Sequence, residues 1–205
     1  MKLKLEKLKM KINQKTVPVE ISARHIHLSK KDSDILFGKN HQFGLLHNLS
    51  QPGQYSTKET VKIIGPKIFF PFVRIIGPDR AQTQLEISLT DSYMLGIKNP
   101  AIKLSGDLKN SSGQVKVVGP NGQIELSSGV IIAKRHLHIE PNLAQQWKLK
   151  NNDEIKIKIK NSTRSLVFEE VIVRSHEGID KLALHIDTDE ANAAGIIKQT
   201  KGIII

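Results

Sequence analysis

Two short stretches carry side chains whose types and spacing suit metal chemistry. Arg24-His25-Ile26-His27 and Arg135-His136-Leu137-His138 each place two histidines one residue apart. On an extended strand alternate side chains share a face, about 6.6 Å apart at a rise of roughly 3.3 Å per residue, so each pair can converge on one ion. A single His-x-His is weak evidence, because such a pair on a strand is more often structural or exposed. Two copies in matching contexts, 111 residues apart, make metal binding the stronger reading.

The chain has no cysteine, which removes disulfides, cysteine zinc knuckles and thiol nucleophiles together. Any metal must then be held by His, Asp or Glu. A His-x-His pair supplies two of the four ligands that zinc usually takes, at about 2.0–2.1 Å, so further donors must come from elsewhere in the fold. Two candidates stand out. His185 ends an apolar stretch and leads into Ile186-Asp187-Thr188-Asp189-Glu190, and Glu86 interrupts an apolar pattern between Leu85 and Ile87. Of the other histidines, His41 and His176 read as solvated surface residues, and His47 also falls in a polar stretch. Arg24 and Arg135 read equally as plain surface charges or as positive potential for an anionic substrate beside the metal.

The elements that must position these residues are mostly strands. Short apolar or alternating runs bounded by turn residues predict strands over residues 17–22, 61–64, 72–76, 84–89, 115–118, 129–133, 155–159, 166–173 and 181–185. Gly-Pro follows three of these runs, at Gly65-Pro66, Gly77-Pro78 and Gly119-Pro120, where proline cannot continue a ladder. Two helices are expected, each just after a histidine motif: Ser29 caps residues 30–36, and Pro141 opens a helix over 142–147. The repeat is therefore larger than the motif. We expect a mainly β protein of two related β domains with a few short helices, residues 17–100 and 101–205, behind a basic tail of residues 1–16, and many short strands ending in such turns suggest barrels.

Composition narrows the function classes. The net charge is +11, yet residues 1–16 hold six Lys against one Glu, which leaves about +6 for the body. Aromatic residues are 4% of the chain, too few for the stacking platforms of a nucleic-acid binder, and a phosphate-bearing small molecule accounts for the charge as well. No apolar run approaches the roughly 18 residues of a membrane span, and the lysine-studded start lacks the apolar core of a secretion signal, so the expected location is intracellular. The tail alternates Lys with apolar residues and also fits one helical face, which suits either a solvated end or an amphipathic segment docking on a protein shell.

Four motifs in order carry a resemblance: Ser22-Ala-Arg-His-Ile-His-Leu-Ser29, Leu49-Ser-Gln-Pro-Gly-Gln-Tyr55, the stretch Val73 to Ser88, and the stretch His185 to Gly195. The chain resembles the phosphate propanoyltransferase family of phosphotransacylases over about residues 17–195. That resemblance implies a pair of intertwined small β-barrels, two zinc ions per chain and the reversible conversion of acyl-CoA and phosphate into acyl phosphate and CoA. It implies that His25, His27 and Glu86 hold one zinc, that His136, His138 and His185 hold the other, and that Arg80 binds phosphate. It further implies that Ser22, Arg74 and Asn192 lie near the CoA phosphates. His47 stands where the family pattern has lysine, which predicts weaker CoA binding. The cytoplasm and the lumen of a bacterial microcompartment, in propanediol degradation, both remain open as locations. A shell or cargo contact through the tail and a homo-oligomer fit equally well. Two other readings stay in play, a non-catalytic basic binding module and a metallohydrolase that cleaves acyl-CoA with water.

Overall fold

The computed structural model describes residues 14–161, 163–197 and 199–205. The helical or extended reading of the tail falls mainly on residues 1–13, outside this range. In chain order the elements are β1 (Thr16–Ser22), β2 (His25–His27), α1 (Lys30–Phe37), β3 (Leu45–Asn48), β4 (Tyr55–Ile64), β5 (Phe69–Gly77), β6 (Gln84–Glu86), α2 (Leu89–Leu95), β7 (Ala101–Lys103), β8 (Val115–Val118) and β9 (Gln123–Leu126). There follow β10 (Val130–Ala133), β11 (His136–His138), α3 (Pro141–Trp147), β12 (Glu154–Ile159), β13 (Leu166–Arg174), β14 (Ala183–Asp187), α4 (Thr188–Ala193) and β15 (Thr200–Ile204).

The protein is mainly β, as its alternating runs predict. It divides into two compact units, one made of residues 1–20, 135–185 and 190–205, the other of residues 21–134 and 186–189. The first contains a closed barrel of order β1-β14-β11-β13-β12-β15, in which the earliest strand pairs with the last. The second is a nine-stranded sheet of order β7-β10-β6-β2-β5-β4-β8-β9, with β3 added beside β4. One unit is thus a closed barrel and the other a large sheet. Strands β7 to β10 pair within the larger sheet.

Each histidine strand occupies an interior place. β2 lies between β6, antiparallel, and β5, parallel; β11 lies between β14, antiparallel, and β13, parallel. The residues between the histidines, Ile26 and Leu137, are fully buried. Burying such a side chain is worth roughly 1.5–3 kcal/mol, and a slip of one residue would put the imidazoles in its place. The hydrophobic pattern thereby sets the register that presents the histidines on the other face.

The helices after the motifs form as their caps predict. Ser29 accepts a hydrogen bond from the Asp32 backbone N–H at the start of α1, and Pro141 begins α3. The strand expected over residues 84–89 is shorter, ending at Glu86. Ser88 and Asp91 form a reciprocal capping box that starts α2 there, and Gly96 closes the helix in the left-handed conformation. The Gly-Pro steps fall at the ends of β4, β5 and β8. Among the described residues, no helix is long and apolar enough to cross a membrane.

Candidate metal centres

Strand register assembles the first ligand set. His25 and His27 project from one face of β2, and Glu86 on β6 lies directly opposite His25. Their Nε2 atoms are 3.2 Å apart, and Glu86 Oε1 lies 3.7 Å from the first and 3.9 Å from the second. The other ring nitrogens face acceptors: His25 Nδ1 is 2.9 Å from the Ala23 carbonyl and His27 Nδ1 is 2.9 Å from the Ile76 carbonyl. A ring in its neutral form therefore carries its proton on Nδ1 and turns an Nε2 lone pair toward the other. Two lone pairs in such contact repel unless a cation lies between them. Two zinc ligands at about 2.0–2.1 Å in tetrahedral geometry stand roughly 3.3 Å apart, so the separation fits such an ion.

Electrostatics favour the same state. Burial, reinforced by the charges of His25 and Arg80, lowers His27 well below the usual imidazole range and keeps it a neutral donor. Burial works to raise the Glu86 carboxyl. The charge that the His25 and His27 imidazoles carry when protonated, a hydrogen bond from Ser105 and the charge of Arg80 outweigh it and hold the group below its ordinary range. Ser105 Oγ donates to Glu86 Oε1 at 2.7 Å and accepts from Arg80 Nη1 at 3.2 Å. Gln84 Nε2 also donates to Glu86 Oε1.

The second set repeats the plan. His136 and His138 share a face of β11, and His185 on β14 lies opposite His136. His136 Nε2 and His138 Nε2 are 3.0 Å apart. His138 Nδ1 faces the Asp180 carboxylate at 2.5 Å, and His185 Nε2 faces Glu20 at 3.0 Å. Both trios bring their ligand atoms within 4.8 Å of one another, and they are groups that could hold a metal.

The arginines of the motifs each pair with a carboxylate. Arg24 Nε and Nη2 grip the Asp91 carboxylate at 2.6–3.1 Å, with the guanidinium over the Phe70 ring. Arg135 Nε meets Glu190 at 2.7 Å. Asp91 and Glu190 each come five residues after the third ligand of their set, Glu86 or His185, and each sits in the first turn of a short helix, α2 or α4. Each clamp ties the histidine strand to the helix following the third ligand's strand. Aligning the two halves beyond Arg-His-x-His would have revealed this acid.

The other expected residues are placed as follows. Arg80 lies beside the first set, close enough for its charge to act on His27 and Glu86. Arg74 pairs with His25 across β2 and β5, and its Nη1 donates to the Thr57 and Lys58 carbonyls at 2.9 and 2.8 Å. Ser22 ends β1, and Asn192 is exposed on α4, its carbonyl accepting from Arg164. His47 is on β3, its Nδ1 3.0 Å from Ser56 Oγ. His41 is no bare surface residue: it stacks on Phe37 and meets Phe43 edge-on, with Glu59 3.5 Å away. His176 is likewise engaged, 2.7 Å from the buried Asp180. Sequence reading missed Asp180 and Glu20, which hydrogen-bond to ligands from distant parts of the chain.

Acid should destabilise the metal-free protein through His138. Burial, then the neighbouring His185, lowers that imidazole from 6.5 to about 4. Between those values the unfolded chain binds a proton that the folded chain does not, so stability is full above 6.5 and falls as pH drops toward 4. The loss is on the order of 3 kcal/mol for this residue. The melting temperature of chelator-treated protein should fall steadily across that window, and a flat profile would contradict a neutral His138.

Similarity to known proteins runs over most of the chain. The family model described as Phosphate propanoyltransferase matches residues 18–197. A phosphate propanoyltransferase of Thermotoga maritima is 46% identical over 176 residues, covering 86% of this chain and 82% of that protein. One from Alkaliphilus metalliredigens is 46% identical over 189 residues, 92% of this chain and 87% of the relative. A third, from Salmonella typhimurium, is 42% identical over 184 residues, 90% and 86%.

Proposed function

The chain belongs to the phosphate propanoyltransferase family of acyltransferases, and on that premise we propose that it interconverts short-chain acyl-CoA and phosphate with acyl phosphate and CoA by direct attack of phosphate on the thioester. Propanoyl and acetyl groups are both admitted, since one methylene changes pocket discrimination by only about 1–3 kcal/mol. The observation that carries the metal part of this reading is the 3.2 Å separation of the Nε2 atoms of His25 and His27, each ring with its Nδ1 facing a backbone carbonyl. In our reading His25, His27 and Glu86 hold one zinc and His136, His138 and His185 a second. When bound, zinc supplies Lewis acidity for the thioester carbonyl and stabilisation for the departing thiolate.

The chain's own groups do the rest. Hydrogen bonds from His25 and His27 to Ala23 and Ile76 fix the imidazole orientations before substrate arrives. Arg80 offers a planar, permanently charged fork that binds phosphate and neutralises part of its charge as it approaches a CoA already rich in phosphate. A phosphate oxygen forms a bond to the carbonyl carbon, the carbon–sulfur bond breaks, and its electron pair leaves on the CoA sulfur. Ser22, Arg74 and Asn192 contribute to the CoA phosphate subsite, with His47 a weaker contact than lysine would be. A chain without cysteine needs no acyl-enzyme on this route.

The decisive assay follows thiol release from propanoyl-CoA with and without phosphate, traps acyl phosphate as hydroxamate, and measures metal in the same preparation. Phosphate-dependent release, with one acyl phosphate formed per thiol, is expected. Equal release without phosphate would identify a hydrolase, and an acyl-protein adduct formed from propanoyl-CoA alone would end the direct-attack mechanism.

A further inference from the structure

We propose that Asp180 is a positioning residue for the second metal centre, acting through His138. The inference rests on reading His136, His138 and His185 as metal ligands. Asp180 belongs to the segment joining β13 to β14, where the chain turns through Gly178 at φ +71 and the Asp180 backbone N–H donates to the His176 carbonyl at 3.2 Å. That turn buries its side chain, which is 1% exposed. A buried carboxylate needs partners, and it has two: Oδ1 faces His138 Nδ1 at 2.5 Å and Oδ2 faces His176 Nδ1 at 2.7 Å.

The carboxylate holds the proton of His138 on Nδ1. Nε2 is then left as a lone pair directed at His136, 3.0 Å away. The first centre is built otherwise, since His27 Nδ1 meets only a backbone carbonyl, that of Ile76. The two trios differ in charge in the compensating sense. Glu86 gives the first trio a carboxylate among its ligands, whereas the second consists of three imidazoles. Asp180 behind His138 and Glu20 beside His185 bring negative charge to the second, and of the two it is Asp180 that is buried. The Asp180 carboxylate both fixes the His138 ring and strengthens it as a donor.

The test uses full-length protein carrying His25→Ala and His27→Ala, so that only the second centre can bind, with zinc affinity measured by competition against a chromophoric chelator. Adding Asp180→Asn should weaken zinc binding roughly 10- to 100-fold. The metal-free melting temperature, read alongside, separates lost positioning from lost folding, and the cobalt(II) absorption spectrum should change with the ligand's orientation. An affinity within about 3-fold of the background protein, where 10-fold or more is the typical cost of losing such a partner, together with an unchanged cobalt spectrum, would overturn the role of Asp180. Absence of any zinc binding by the background protein would instead refute the second centre itself.

Discussion

His27→Ala is expected to remove the ion held by the first trio and to lower phosphate-dependent CoA release by roughly 10³-fold, the factor that corresponds to about 4 kcal/mol of lost charge stabilisation. The residue is buried on both sides, its Nδ1 committed to the Ile76 carbonyl and its Nε2 to the cluster, so no neighbour can swing in as a substitute. Metal content should fall from two ions per chain toward one. Because the side chain is enclosed, the circular dichroism spectrum and melting temperature must be recorded beside the activity. Glu86→Gln serves as the near-isosteric companion, keeping hydrogen-bonding capacity while removing the charge. Full metal content and full activity in both variants would remove the first trio from the chemistry.

The second large effect concerns Arg80. Hydrogen bonds to charged groups are worth roughly 1.5–3 kcal/mol each, and 1.4 kcal/mol is tenfold in affinity. Arg80→Ala should therefore raise the phosphate concentration for half-maximal rate by about 100-fold, while the CoA requirement moves far less. The guanidinium also donates to Ser105, which in turn donates to Glu86, so part of the effect will appear in kcat through a loosened ligand. Arg80→Lys should recover only part of the phosphate affinity, since a point charge replaces a fork. If both substrate requirements rose equally, Arg80 would be a general support of the site and not the phosphate contact.

How much of this was legible beforehand follows from what each feature depends on. The histidine pairs, Glu86 and His185 were visible because alternation along a strand is local, and an acid or histidine inside an apolar run has few structural excuses. The helices after the motifs were visible through Ser29 and Pro141. Helix α2 was hidden by Leu85, Ile87 and Leu89, whose alternation continues past the point where Ser88 and Asp91 turn the chain. Asp180 could not be found by pattern, for its link to His138 spans 42 residues and arises from folding alone. The arginines lay between two readings until the acids five residues after each third ligand came into view. The sheet of the larger unit, into which β7 to β10 are recruited, depends on long-range pairing that no local signal encodes.

The pairing of β1 with β15 has a consequence for the order of events on the ribosome. Thr16 to Val19 pair with Thr200 to Ile203, so the barrel stays open until residue 203 has been made. Residues 21–134, nearly all of the larger unit, are complete some 70 residues earlier, which at 5–20 residues per second is a lead of roughly 4 to 14 s. The two side-chain trios therefore form in sequence during synthesis, the one containing Glu86 first. Vectorial emergence of the chain thus sets the order in which they are assembled.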